Sequence, residues 1–420
     1  MTSHLSSVQI PALLRMLYPL LTTSETLRVR FKLEAAFTGY ALELPVMVIE
    51  RPLVSIIILN YNGKCFLKNC LSTVFETNYP NFEVIFVDNA STDKSLDFVS
   101  KVFAEKKGLK IISNRRNLGF GPACNVGFNH AKGDYIVFLN NDTVVEPDWL
   151  ATLVDALEND QTIGLAQSLI FNMDDQMVQS AGFLMGDYSI CKHWVVFPND
   201  WHKDMLPDVF EISHVMGAAM IAKREFLQEI GLFDPKYFWY YDDEYLSFRT
   251  WLAGKRVVTV AGSKVFHHHA GTSRREIGGE LQRHWVIKNF SLVFDVYWNL
   301  LDLAKGLFIL SVDSIYSSLK EGLRKRDTQF LKTMSGIRWI LENFRYVWRN
   351  RLKYWSKAVV DEKTLRSKMI RINIPSSVYL VPKVLFPYSF YFKREIDKYR
   401  ENLLLQRQRE LERSQSFAKS

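Results

Sequence analysis

Asp242-Asp243-Glu244 sets three consecutive carboxylates beside the aromatic run Trp239-Tyr240-Tyr241. Partial burial against rings and repulsion between neighbouring carboxylates both raise a carboxyl pKa, toward the range useful for a general base that takes a proton from a hydroxyl. The same run also suits a solvated acidic first turn of a helix reaching Trp251, which the helix dipole favours. Asp142 closes the polar turn Asn140-Asn141-Asp142 after an apolar run. There a carboxylate is placed to hold Mg²⁺ or Mn²⁺ against a diphosphate, since these cations take oxygen ligands and share them with substrate phosphates. An Asx turn leading into the next segment is the plainer reading. Asp88, with Asn89, Ser91 and Asp93, makes a second polar turn, suited to reading a nucleobase or ribose or to capping a helix. In His267-His268-His269, strand alternation puts His267 and His269 on one face, where an imidazole can join Asp142 at a metal. Gly119-Phe120-Gly121 satisfies neither the dinucleotide nor the P-loop pattern.

These residues need a scaffold that gathers them. Val54–Leu59 is a continuous apolar, β-branched run that must be covered on both faces, as in a parallel sheet. Residues 64–76 read as a helix, 83–87 as a second strand, and 91–106 as a helix capped by Ser91 or Thr92. Residues 109–113 make a third strand, the region around 124–132 a helix, and 135–139 a fourth strand. Strands alternating with helices predict an α/β domain, and polar clusters at the strand C-termini predict a ligand crevice there. Shorter strands follow at 163–168, 214–222, 256–260 and 264–269. Beyond residue 280 the pattern is helical, basic and rich in Trp and Tyr.

The chain has 420 residues and a net charge of +8, unevenly spread. Residues 274–420 hold 29 Lys/Arg against 15 Asp/Glu, a balance of +14, and the preceding residues balance at −6. A basic, aromatic tail suits an anionic membrane surface or nucleic acid. The four cysteines lack metal-type spacing and read as reduced thiols of a cytosolic compartment. Residues 1–25 show no signal peptide. No stretch reaches the roughly 18–20 uninterrupted apolar residues of a spanning helix, and 296–319, the nearest, is broken by Asp302, Lys305 and Asp313.

Taken in order, seven segments resemble the family 2 glycosyltransferases, especially their rhamnosyltransferase-like branch. They are VSIIILNYNG (54–63), VIFVDNASTDKS (84–95), NRRNLGFGPACNVG (114–127), GDYIVFLNNDTVVEPDWL (133–150), QSAGF (179–183), VMGAAMIAKREFLQEIGLFDPKYFWYYDDEYLSFR (215–249) and VFHHHAGTS (265–273). The resemblance implies a GT-A type α/β fold with a mainly parallel central sheet over residues 51–290. It would follow an extension at 1–50 and precede a helical, basic, membrane-associating region at 291–420. It implies that Asn60, Asn62, Asp88, Asn117, Asn125 and Asn141 bind the donor. Gly217, Ala218, Trp239, Tyr240, Tyr241 and Asp242 would line the acceptor or sugar pocket. Asp142 matches the last carboxylate of the DxD-type metal motif, whose first carboxylate is Asn140 here. His267 is the best match to the metal-binding His, with His269 the alternative. Asp243 matches the catalytic Asp of a Glu-Asp pair, with Asp242 in place of Glu. Lys288-Asn289 resembles a basic-Asn pair that closes the domain, and Gln282-Arg283-His284-Trp285 departs from the QxxRW motif of processive relatives.

The expected reaction is an inverting transfer from a dTDP- or UDP-sugar to a hydroxyl of a glycan or polyprenyl-linked acceptor, with a Mg²⁺ or Mn²⁺ cofactor. Rhamnose is the expected sugar of this branch. The basic tail, above all Phe344–Trp355, is expected to rest on the inner face of the cell membrane, with no nucleic acid bound. A non-catalytic glycosyltransferase-like scaffold and a basic nucleic-acid-binding protein are the competing readings.

Overall fold

The computed structural model describes residues 29–30, 48–49, 51–186, 192–194, 205–268, 288–289, 291, 294, 299–301, 303–304, 307–308, 311, 328–368, 371–372 and 388–417. His269, Cys191, residues 282–285 and most of 1–50 and 296–319 lie outside them. Contacts divide the chain into Met1–Pro52 and Leu53–Ser420. In the first unit, Val29–Arg30 pairs antiparallel with Val48–Ile49.

The second unit is built on one sheet. Its first half is β1 (Val54–Asn60), β2 (Phe82–Asp88), β3 (Leu109–Ser113) and β4 (Tyr135–Asn140), all parallel, with β1 between β2 and β4. The apolar run of β1 is covered on both faces, as its composition requires. Ile57 packs with Phe128 and Phe138 on one side, and Ile56 and Ile58 with Leu67, Leu71 and Trp149 on the other. Full burial of each such side chain contributes about 1.5–3 kcal/mol. The covering helices are α1 (Lys64–Phe75), α2 (Ser95–Val102), α3 (Phe120–His130) and α4 (Trp149–Asn159).

The second half adds antiparallel strands to this parallel core. β5 (Thr143–Val145), β6 (Ile163–Asn172), β7 (Val178–Ser180), β8 (Phe183–Gly186), β9 (Lys192–Trp194), β10 (Val209–Glu211), β11 (Ala219–Lys223) and β12 (Arg256–His267) follow. β11 enters between β4 and β6, antiparallel to both, whereas β12 is parallel to β6. The sheet is therefore mixed. The stretch expected as a strand from His214 pairs in β11 only from Ala219. The two strands expected at 256–269 are one, β12, with a register shift between Val260 and Lys264.

Two helix starts also move. α2 begins at Ser95 because Ser91 and Thr92 are occupied in the loop contacts described below, and Lys94 turns left-handed before it, at φ 66°. α3 begins at Phe120, where Pro122 in the first turn removes a donor the helix does not need. After α5 (Arg224–Ile230) and α6 (Asp242–Leu252) come the helices α7 (Thr328–Glu342), α8 (Phe344–Trp355), α9 (Glu362–Lys368) and α10 (Tyr388–Phe417), with β13 (Arg371–Ile372) parallel to β8. α8 lies on the domain. Val347 and Asn350 are buried, and Asp234 accepts hydrogen bonds from the Tyr346 hydroxyl and Asn350 Nδ2 at 2.6 and 3.0 Å. Among the described residues no helix is long and apolar enough to cross a membrane.

Candidate active site

β1, β2 and β4 end side by side, and their terminal polar residues form one network. Asn60 Nδ2 donates to Asp88 Oδ1 (3.1 Å) and Ser91 Oγ (3.0 Å), and Asn60 Oδ1 accepts from Asn141 Nδ2 at 2.6 Å. Asp88 Oδ2 accepts the Ser91 N–H, and Asn62 Oδ1 accepts the Thr92 N–H at 2.8 Å. Asn62 sits at φ 51°, a region an Asn tolerates. Gly63 has no room for a Cβ, which would run into the Asn141 amide. Asn89, given no separate role above, ties the next loop in. It donates to Asn117 Oδ1 (2.8 Å) and to the Gly119 carbonyl, and accepts from Asn114 and the Leu118 N–H. Thus Asn60, Asn62, Asp88, Asn117 and Asn141 gather at one rim. Asn125 does not join this network, because its amide donates to the Phe233 carbonyl and accepts the Phe233 N–H.

The shifted register of β12 decides where the histidines go. His267 pairs with Thr143 of β5 on one side and Asn172 of β6 on the other, and the His268 N–H donates to the Asp142 carbonyl. His267 Nε2 thereby lies 3.3 Å from Asp142 Oδ1, both groups nearly fully buried. Gln179 Oε1 lies 2.8 Å from His267 Nδ1. This set fits a divalent cation, since the separation is close to the edge of about 3 Å that an octahedron with bonds of about 2.1 Å has. Among the described residues no cluster of three His, Cys, Asp or Glu forms a metal cage. A cation held by these two residues would leave its remaining positions to other oxygen ligands. Gln179 had a signal in the QSAGF segment, but no role attached to it.

The acidic run forms the first turn of α6. The solvated-turn reading fails for Asp242 and Glu244, which are buried. Asp243 is half-buried. Its Oδ2 accepts the Gly217 N–H at 2.9 Å and its Oδ1 the Glu244 N–H at 3.0 Å. The adjacent Ala218 carbonyl accepts the Asn140 N–H at 2.9 Å, which sets Asp243 beside the turn that carries Asp142. Burial, and next the charge of Asp243, hold the Asp242 carboxyl well above its ordinary value. Behind the run, Glu244 Oε1 pairs with His214 Nε2 at 3.4 Å, and His214 stacks on Phe183.

The aromatic residues form a strained turn. Tyr240 and Tyr241 both have positive φ, 71° and 68°, which is unusual for bulky side chains. Asn289 Nδ2 donates to the Trp239 and Tyr240 carbonyls at 2.6 and 2.7 Å, and Lys288 Nζ to the Lys236 carbonyl. The basic-Asn pair is the clamp on this turn. Trp239 and Tyr240 stack at 4.6 Å, whereas Tyr241 is buried. The Phe120 N–H donates to the Phe238 carbonyl, joining this turn to the rim that holds Asn117. Burial pushes the Cys70 thiol up to about 12 and the Cys124 thiol up as well, which disfavours the thiolate at both.

Residues 55–231 match the sequence profile described as Glycosyl transferase family 2. An uncharacterized glycosyltransferase of Haemophilus influenzae is 33% identical over 112 residues, covering 27% of this chain and 35% of that protein. The O-antigen biosynthesis protein RfbC of Myxococcus xanthus is 26% identical over 238 residues, covering 54% of this chain and 18% of that protein. This chain therefore spans about a third and about a fifth of the length of these two relatives. The crystal structure of GalNAc-T7 with UDP, GalNAc and Mn²⁺ superposes with a TM-score of 0.51 at 19% identity, covering 71% of this chain and 58% of that one. That likeness carries the fold, a mixed α/β sheet domain of the GT-A type.

Proposed function

We propose that the family 2 glycosyltransferase domain of this chain performs an inverting transfer of a sugar from a nucleoside-diphosphate donor to an acceptor hydroxyl. The observation that carries the proposal is the convergence at the end of β4. Asp142 and His267 stand together there, and the backbone of Gly217 and Ala218 links Asp243 to the same turn. Asp88, Asn60, Asn62, Asn117 and Asn141 supply a polar rim for the base and ribose. Trp239 and Tyr240, held by Asn289, supply a stacked wall for a sugar ring.

In this reading Asp243 takes the proton of the acceptor hydroxyl as that oxygen attacks the anomeric carbon, opposite the departing diphosphate. Asp142 and His267 would hold Mg²⁺ or Mn²⁺, which when bound supplies Lewis-acid neutralisation of the diphosphate charge. Burial holds the Asp242 carboxyl above its ordinary range, and Asp243, the less buried of the two, is the one read as the base. GalNAc-T7, crystallised with UDP, GalNAc and Mn²⁺, shares the fold, and RfbC is named for O-antigen biosynthesis. The first supports a nucleotide-sugar donor and the second a glycan acceptor, a polyprenyl-linked one being the extension of this reading, and the rhamnosyltransferase-like order of the motifs makes dTDP-rhamnose the first donor to try.

The reading extends to a peripheral position at the cytoplasmic face of the cell membrane. It is supported by the outer face of α8, where Arg345, Trp348, Arg349, Leu352 and Lys353 are exposed opposite the buried Val347 and Asn350.

The test is donor hydrolysis and binding across a panel of UDP-, dTDP- and GDP-sugars, with and without Mg²⁺ or Mn²⁺. Metal-dependent selection of one donor is the expected result. Absence of binding to every nucleotide, with either metal, overturns the proposal.

A further inference from the structure

The residues at the end of β6 hold a device beyond the two metal ligands. Against β6, Ser180 of β7 pairs with Ile170 and Val178 with Phe171, so Gln179 is the extra residue of a β-bulge. Bulges of this kind re-aim a side chain out of the ladder, often beside an active site. Here the bulge turns Gln179, itself nearly fully buried, toward His267. The amide has one orientation available. Its Nε2 donates to Asn172 Oδ1 at 3.0 Å and approaches the His267 carbonyl at 3.5 Å, which leaves Oε1 facing the ring.

We infer that Gln179 is a positioning residue that sets the tautomer and ring plane of His267 for metal binding. An acceptor oxygen at 2.8 Å from Nδ1 requires the proton on that nitrogen. In the neutral ring, Nε2 then carries the lone pair, on the side where Asp142 Oδ1 stands at 3.3 Å. The His267 carbonyl, which can only accept, fixes which end of the Gln179 amide meets the imidazole, and Asn172 accepts from the same Nε2. A ligating His whose other nitrogen is hydrogen-bonded binds metal more tightly, and loss of the partner typically costs about 10–100-fold in affinity.

The inference rests on the metal reading proposed above, so the experiment separates the two. Mn²⁺ binding is measured by the loss of the free-ion electron paramagnetic resonance signal, with UDP or dTDP present, for the wild type, Gln179→Leu, Gln179→Glu and His267→Ala. Thermal melting is followed in parallel. The expected result is strong weakening in His267→Ala, about tenfold or more in Gln179→Leu, and clearly less in Gln179→Glu, whose carboxylate also accepts from Nδ1 but loses the donor to Asn172. A wild type that binds no Mn²⁺ with either nucleotide, or a His267→Ala variant that binds as the wild type does, overturns the metal reading. Weak binding in His267→Ala with unchanged binding in Gln179→Leu overturns the role of Gln179 alone. Equal weakening in Gln179→Leu and Gln179→Glu marks a packing effect and also overturns it.

Discussion

Asp243 Oδ2 accepts the backbone N–H of Gly217 at 2.9 Å, and this one bond sets the carboxylate of α6 beside the strand end that carries Asp142. Asp243 is thereby held by backbone donors to its carboxylate, at Gly217 and Glu244.

Asp243→Asn retains the shape and an acceptor oxygen but cannot take a proton. Turnover should fall by about 10²–10⁴-fold, with the dissociation constant of the nucleotide donor changed little. Single-turnover rates and donor titration check the two quantities separately, and substantial turnover in the variant removes Asp243 from the role of base.

Gly119 sits at φ 88°, and a Cβ there would run into the Phe238 carbonyl that accepts the Phe120 N–H. Gly119→Ala should lower stability by about 1–3 kcal/mol. It should also raise the donor KM, because the loop that holds Asn117 moves. Urea unfolding midpoints and donor saturation curves read both effects.

Asp242 predicts an unusual pH response. Its folded pKa lies above the ordinary 3.8, first through burial and then through Asp243. The folded state thus binds the proton more tightly than the unfolded state. Its stability contribution falls as pH rises from the ordinary carboxyl range toward the raised folded value. Asp242→Asn removes that loss, so the variant should melt higher than the wild type at neutral pH and converge with it in acid. Melting curves across pH decide it, and a variant that melts lower at neutral pH contradicts a raised Asp242 pKa.

The exposed face of α8 predicts salt-sensitive adhesion to anionic bilayers. Trp348 and Leu352 are 40% and 56% exposed, beside Arg345 and Arg349, and each basic residue near such a surface contributes about 1 kcal/mol. The wild type should float with phosphatidylglycerol vesicles and not with neutral ones, and the combined Arg345→Glu, Trp348→Ala, Arg349→Glu variant should stay behind. A wild type that remains in the soluble fraction counts against the membrane reading.

Much of this is legible along the chain. The apolar runs of β1, β2 and β4 can only be buried strands, and their Asn/Asp-rich ends mark the crevice, because a parallel sheet puts those ends on one edge. The residues of the acidic run and the histidine run are likewise visible as groups able to take protons or bind metal. Their partners are not. The burial of Asp242 and Glu244 depends on what α6 packs against, which no local pattern encodes. The left-handed Tyr240 and Tyr241 depend on Asn289, about fifty residues away in the chain.

What the sequence by itself determined is the set of reactive side chains and the parallel half of the sheet, since both follow from residue type and from hydrophobic period. What only the tertiary structure decided is the pairing of those side chains. The register shift in β12 carries His267 to Asp142, the bulge at Gln179 aims an amide at that ring, and antiparallel β11 brings Gly217 and Ala218 alongside Asn140. The physical reason is that strand register and order are set by the burial of whole faces and the satisfaction of backbone hydrogen bonds across the sheet. Those are long-range constraints that no single segment expresses.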